Sequence, residues 1–286
     1  MSAARSERSG AEAPRPPLVV VVVNWNGRHL LAECLGSLLE NGYEPLEIVL
    51  VDNGSTDDSL PFVREAFPDV RILASPENRR WAGGNNLALQ ALLAEGVAGR
   101  YVLLLNNDTF VPGGSLARLV AALAAEPAAW AATPRICYWH DPARAWYDGG
   151  IAGRRTGWIR HHGIRRLAGR LPFRSRFGEW GTGCALLLRD VALVRAGLLD
   201  ESYYFYGEDS DYCLRLAAAG GRILHVPAAL VLHKVSDALG GQSPRKAYLK
   251  ARSHVQLLRR HWPRRRWPVL IPCQVGYYAG LVAWHL

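Results

Sequence analysis

Leu18 to Val23 is an unbroken apolar run rich in β-branched residues, the pattern of a parallel strand buried on both faces. It ends at Asn24-Trp25-Asn26-Gly27. From about His29 to Glu40, Leu30, Leu31, Cys34, Leu35, Leu38 and Leu39 recur at helical spacing, and Glu47 to Val51 reads as a second strand. The spacing then predicts a helix over Thr56 to Phe67 capped by Ser55 or Thr56, a strand over Val70 to Ala74, a helix from about Asn86 to Glu95 and a strand over Tyr101 to Leu105. This alternation implies an α/β fold, a Rossmann-like, mostly parallel sheet with flanking helices whose ligands bind at the carboxyl ends of the strands. Beyond Pro112 the pattern loosens. A helix over Ser115 to Ala125, a strand over Ala185 to Arg189, a helix from Glu208 to Ala219 and a short strand at Leu230 to Leu232 are the remaining elements, with no internal repeat.

Charge adds two features. The net charge of the 286 residues is +9, and the nine basic residues after Asp237, a stretch without Asp or Glu, account for all of it. A second acid-free stretch, Gly149 to Gly178, carries eight arginines. Two basic segments are therefore attached to an acidic remainder, and a phosphate-bearing or anionic-lipid partner enters consideration. Five cysteines without a C-x-x-C pair indicate neither a disulfide framework nor a zinc finger and fit a reducing, cytoplasmic compartment. Residues 1–17 are polar, lack the apolar core of a secretory signal and read as a disordered leader.

The candidate chemistry sits at strand ends. The first strand offers Asn24 and Asn26, the second Asp52, and the fourth Asn106-Asn107-Asp108. A dinucleotide site would place G-x-G-x-x-G after the first strand, and N-W-N-G stands there instead. Asp52 can accept hydrogen bonds from a base or ribose, or it can serve a turn. Asp108 is placed to hold a hard cation on a diphosphate, or it too is a turn residue. Residues 201–211, E-S-Y-Y-F-Y-G-E-D-S-D, set three carboxylates within four positions, where like charges repel unless a cation or a proton-transfer role stabilises them; capping of the following helix is the plainer explanation.

Seven segments in order, V-V-V-N-W-N-G at 21–27, V-D-N-G-S-T-D at 51–57, E-N-R-R-W-A-G-G-N-N at 77–86, L-L-N-N-D at 104–108, G-T-G-C-A at 181–185, F-Y-G-E-D-S-D at 205–211 and His233, resemble the family 2 glycosyltransferases of GT-A fold, most closely their bacterial rhamnosyltransferase-like members. The resemblance implies an inverting transfer of a sugar, with dTDP-rhamnose as a candidate donor, to a polysaccharide or lipid-linked acceptor. It implies Asp209 as catalytic base and Asn24, Asn26, Asp52, Asn107 and a Gly83-Gly84-Asn85-Asn86 turn around the nucleotide sugar. It further implies Asp108 with His233 on Mg²⁺ or Mn²⁺, and Trp180, Gly183 and Glu208 at the sugar and acceptor site. Asn106 stands where many members carry an Asp, and Arg80 where close relatives carry Gly.

Two other classes compete. A nucleotidyltransferase-like enzyme would want a Gly-rich, basic phosphate loop after the first strand, where only Arg28 stands. A nucleic-acid-binding protein would use the Arg-rich segments, but these lie outside the motif cleft, so no nucleic-acid partner is expected. The domain is expected to span 18–240. Residues 241–286 read as a basic, aromatic membrane-associating segment: a helix over Tyr248 to Trp262, then Arg264-Arg265-Arg266, then an uncharged run in which Pro268, Pro272, Gln274 and Gly276 argue for docking at the inner membrane face rather than crossing. Trp262, Trp267, Tyr277, Tyr278 and Trp284 are the expected anchors. The alternative is a packed helix that covers the sheet or mediates a homodimer.

Overall fold

The computed structural model of the chain describes residues 15–153, 155–235 and 244–285. The expected leader falls largely on residues 1–14, and the expected boundary at 240 falls between 236 and 243; both lie outside the described residues. Where the chain is first described it is tied down, since Tyr43 donates its hydroxyl to Pro16 O (2.6 Å) and Tyr101 N donates to Pro17 O (2.9 Å).

The elements run β1 (Leu18–Asn24), α1 (Arg28–Leu39), β2 (Leu46–Asn53), α2 (Ser59–Ala66), β3 (Arg71–Ser75), α3 (Arg80–Glu95), β4 (Tyr101–Asn106), β5 (Thr109–Phe110), α4 (Ser115–Ala124) and β6 (Ala129–Tyr138). There follow β7 (Ala145–Tyr147), β8 (Gly150–Ala152), β9 (Ile159–His161), β10 (Arg176–Gly178), β11 (Ala185–Arg189), α5 (Asp190–Ala196), α6 (Glu208–Ala218), β12 (Arg222–His233), α7 (Pro244–His261) and α8 (Trp267–His285). One sheet has the order β10-β12-β6-β11-β4-β1-β2-β3, with β5 on β12 and β7 on β6. β1, β2, β3 and β4 pair in parallel, as do β6 and β12, while β11 is antiparallel to β4 and β6. The ends of β1, β2, β4, β6 and β12 therefore share one edge.

The apolar run of β1 is buried on both faces as its pattern predicts. Leu18, Val20 and Val22 join the core under α1 and α4, and Val19 and Val21 join the core under α3, α5 and α6. The two-sided burial fixes register, because a slip of one residue would exchange the faces. That register sets Asn24 opposite Asp52 and Val23 opposite Asn106, so three motif residues meet at one point of the edge.

Two expectations need correction. Ser55 and Thr56 do not cap a helix: α2 begins at Ser59, and Ser55 Oγ accepts from Asn26 N (3.0 Å) instead. The Gly83–Asn86 segment is no turn but the first turns of α3, which begins six residues earlier than expected. A Cβ on Gly84 would lie 2.6 Å from Val23 Cγ1, so a glycine that weakens a helix by about 1 kcal/mol is what lets α3 lie against β1. Of the two possibilities for the basic helix, α7 packs inward with its leucines, Leu249, Leu257 and Leu258. All three are buried, the latter two in a cluster with Tyr203, Trp262 and Leu270.

Candidate active site

At the nucleotide end, Asp52 is buried one residue before the end of β2, with one carboxylate oxygen accepting Ser55 N (3.2 Å) and the other buried without a protein partner. A desolvated, unpaired carboxylate oxygen costs free energy unless a ligand donor reaches it. Around it the asparagines knit the strand ends together. Asn24 donates to Ser59 Oγ (3.0 Å) and accepts from Asn107 Nδ2 (2.8 Å), while Asn26 Oδ1 accepts Thr56 N (2.7 Å). Asn53 holds the loop before α3 through Asn78, Arg79 N and Arg80 O. Arg80 occupies left-handed backbone (φ 61°), which favours glycine, and its guanidinium lies 3.8 Å from the centroid of Tyr204.

Asp108 follows β4 and is buried beside His233 at the end of β12, with Oδ1 3.1 Å from His233 Nε2. β5 brings them together by pairing Thr109 with His233. The neighbouring Asn106 Oδ1 accepts from Trp81 Nε1 (3.1 Å). Among the described residues no group of three or more possible protein ligands converges. One carboxylate and one imidazole nevertheless suit a divalent cation that takes its remaining ligands from diphosphate oxygens and water. The His233 Nδ1 atom, buried without a partner, marks this end as incomplete without further groups.

The third pole is the start of α6. Gly207 is left-handed (φ 88°) and turns the chain into the helix. Asp209 Oδ2 accepts Gly183 N (2.9 Å), and Oδ1 accepts Ser210 N (2.6 Å) and Ser210 Oγ (3.1 Å). Burial lifts the Asp209 carboxyl above the ordinary range, against these hydrogen bonds, which hold it down. Burial and the adjacent Asp209 charge push Glu208 up to about 8, and its Oε2 is buried without a partner. Asp211, by contrast, is completely buried and paired with Arg215 Nε (2.8 Å) and His261 Nε2 (2.8 Å).

An aromatic wall joins the poles. The Trp146 ring meets His233 (4.6 Å between centroids) and His161 (4.4 Å), and His161 meets Trp180 (5.4 Å). Burial lowers the His161 pKa to about 4, so this ring is neutral at pH 7. Trp180 leads into Gly181–Gly183 and hence to Asp209. Two buried-face carboxylates, a histidine and an apolar wall at one sheet edge can hold a polar ligand, shield it from water and move a proton.

The sequence profile described as glycosyl transferase family 2 matches residues 19–192, which is more than half of the chain. The chain belongs to glycosyl transferase family 2. This family 2 glycosyltransferase is 30% identical over 245 residues, 78% of each chain, to the N-acetylglucosaminyl-diphospho-decaprenol L-rhamnosyltransferase of Mycobacterium tuberculosis. It is 27% identical over 141 residues, 46% of this chain and 52% of the other, to rhamnosyltransferase WbbL of Escherichia coli. Among solved structures it resembles GalNAc-T7 with UDP, GalNAc and Mn²⁺ (TM-score 0.67, 16% identity), a match that covers 87% of this chain and about half, 48%, of that one. It also resembles the mannosyltransferase PcManGT from Pyrobaculum calidifontis in complex with GDP-Man and Mn²⁺ (TM-score 0.56, 20% identity, 93% and 76% covered). These likenesses show the GT-A fold.

Of the residues expected to touch ligands, the family 2 enzyme gathers Asp52, Asn26, Asn107, Asp108, His233, Glu208 and Asp209 along the edge. Others do not present a ligand surface. Asn24 is fully buried with its amide engaged, and Asn86 holds Leu199 through both amide ends, to N (2.9 Å) and to O (2.9 Å). Gly83 and Gly84 pack within α3, and Gly183 leaves room for the Trp81 indole, which a Cβ would approach to 2.6 Å. Trp180 is buried and supports His161 from behind. These are positioning residues. Trp146 and His161 escaped the sequence reading; the density of Trp, Tyr and His through 139–162 was the available signal.

Glu208 gives a pH-dependent expectation. Its folded pKa exceeds its unfolded value, so the folded state binds the extra proton between about pH 4.5 and 8, and stability falls as pH rises through that window. Glu208→Gln, which mimics the protonated form, is expected to leave Tm unchanged at pH 4 and to raise it at pH 8.5, where the parent must keep the buried carboxylate ionised. Calorimetric scans across that range check it, and a gain that is larger at low pH contradicts the assignment.

Proposed function

We propose that this enzyme transfers a sugar with inversion from a nucleoside diphosphate donor to a phosphate-linked lipid or polysaccharide acceptor, with dTDP-rhamnose the first donor to test. The Asp209 carboxylate carries the reading: it is desolvated, held by Gly183 N at the helix start, and joined by an aromatic wall to Asp108 and His233. Asp209 takes the proton of the acceptor hydroxyl, the freed oxygen bonds to the anomeric carbon, and the nucleoside diphosphate leaves from the opposite face. Asp52 receives donors of the base or ribose through its unpaired oxygen. Asp108 and His233 would hold Mg²⁺ or Mn²⁺, which when bound offsets the charge of the departing diphosphate. The wall of Trp146 and His161 excludes water from the sugar. The rhamnosyltransferase relatives support the choice of sugar and acceptor class.

Calorimetry tests the metal assignment. Donor nucleotide should bind the parent more tightly with Mn²⁺ than with chelator, and Asp108→Ala should lose at least about 10-fold of that gain while free nucleoside binds as before. Equal donor affinity with and without metal in the parent removes the basis for it.

We further propose peripheral contact with an anionic bilayer. No helix among the described residues is long and apolar enough to cross a membrane. α8 exposes Val269, Ile271 and Val275 beside exposed Arg264, Arg265 and Arg266, each basic residue near such a surface contributing about 1 kcal/mol. Of the expected anchors Tyr277, Tyr278 and Trp284 the structure describes the helical backbone and not the side chains. Co-sedimentation with phosphatidylglycerol vesicles should be salt-sensitive and lost on Ile271→Glu/Val275→Glu. Unchanged pelleting, or a change from dimer to monomer without any vesicle binding, contradicts it.

A further inference from the structure

β6 and β12 run parallel and end together, with Tyr138 opposite His233 and Trp139 N donating to His233 O (2.9 Å). Where the two chains part, a cavity of about 360 Å³ opens, lined among others by Trp139, His140, Arg144, Arg165, His233 and Lys234. Its charge is one-sided. The single lining carboxylate, Asp141, is already paired with Arg144 (3.0 Å), and Lys234 reaches Glu33 of α1, which is not in the wall. Arg165 has no carboxylate partner among the described residues. Its backbone is held in place, with N donating to Ala145 O (2.7 Å) and O accepting Arg144 Nη1 (2.8 Å), in a left-handed conformation (φ 62°) that costs roughly 1–2 kcal/mol. Trp139 forms an apolar floor, edge-on to Phe110 and 5.0 Å from Lys234 Nζ.

The cavity shares His233 with the candidate metal end and lies on the half of the sheet away from Asp52, with β6, β11, β4 and β1 between β12 and β2. Forked guanidinium and ammonium donors on an aromatic floor suit a phosphate or diphosphate. We propose that Arg165, Arg144 and Lys234 form a subsite for the phosphate or diphosphate through which the acceptor sugar is joined to its lipid. The proposal rests on the glycosyltransferase reading above and adds to it the part of the acceptor that the enzyme grips.

The test uses the full chain and two acceptors, an N-acetylglucosaminyl diphosphoryl lipid and the octyl glycoside of N-acetylglucosamine. For Arg165→Ala and Lys234→Met, KM for the diphosphoryl acceptor is expected to rise about 10-fold relative to KM for the glycoside, with donor KM unchanged and Arg165→Lys restoring most of the loss. In a second arm, inorganic diphosphate titrated into the metal-free protein should bind at least about 5-fold more weakly to the double variant. An equal rise for both acceptors overturns the subsite. A rise in donor KM instead assigns the cavity to the donor diphosphate and overturns it as well. Transfer by the parent to neither acceptor, with diphosphate binding still dependent on Arg165 and Lys234, refutes the acceptor reading but not the anion site; unaltered diphosphate binding refutes the site itself.

Discussion

Asp209→Asn is expected to lower sugar transfer by about 10²–10⁴-fold while nucleotide affinity stays within a few fold, the loss typical of removing a general base. The substitution is nearly isosteric, and an asparagine can still accept Gly183 N with its amide oxygen, so the Gly181–Gly183 segment keeps its anchor. What disappears is the proton-accepting charge. Because burial raises the Asp209 carboxyl above its ordinary range, its carboxylate is a stronger base than a solvated Asp. The same change also removes the repulsion on Glu208, which should titrate lower in the variant. Steady-state rates beside nucleotide calorimetry decide the matter. Near-normal turnover would exclude Asp209 as the base, and a matching loss of nucleotide affinity would make it a fold residue.

Asp211→Ala, two positions away, is expected to act on stability instead, lowering it by about 3–5 kcal/mol in urea unfolding, the cost of leaving a buried charge cluster without its counter-charge. Asp211 is completely buried and takes Arg215 Nε (2.8 Å) on its own helix, together with His261 Nε2 (2.8 Å) and Arg260 Nε (3.3 Å) on α7. Burial alone would raise its carboxyl, but the hydrogen bonds to His261 and Arg215 prevail and hold it below the ordinary range. Its contribution is therefore present above the unfolded carboxylate pKa and lost as pH falls below it, so parent and variant should converge in acid. Ser253 Oγ donating to Phe205 O (2.9 Å) and His254 bonded to Gly157 O (2.8 Å) dock the rest of α7. A loss under about 1 kcal/mol at neutral pH would show that α7 is only loosely attached.

That docking is what periodicity alone left open. The apolar stripe Leu249, Leu257, Leu258 is real, but periodicity states only that one face is buried, not against what; here Leu257 and Leu258 pack with Tyr203, Trp262 and Leu270. β6 went unread because Pro134 and Arg135 interrupt an otherwise apolar segment. Arg135 is tolerated in the core because Asp148, from beyond β7, meets its Nε at 2.7 Å, a pairing that no local window contains. Asp148 also takes Arg176 Nη2 (2.6 Å), so part of the Arg-rich stretch is internal counter-charge rather than a surface for nucleic acid. By the same logic the glycines of α3 read as a turn, since the β1 residue that Gly84 packs on, Val23, is distant in sequence. β1 and β11 were legible because their apolar runs suffice, and the positions of Asp52, Asp108, Asp209 and His233 followed from seven ordered segments. Trp146 and His161 needed the fold to bring them beside His233.

The most direct test offers a panel of nucleotide sugars, including dTDP-rhamnose, with Mn²⁺ and an N-acetylglucosaminyl diphosphoryl lipid to the full chain, and follows nucleoside diphosphate release and glycosylated lipid together. The account predicts equimolar appearance of the two products for one donor, an inverted anomeric configuration in the product, and loss of both signals in Asp209→Asn. A product of retained configuration, or undiminished transfer by Asp209→Asn, would contradict it.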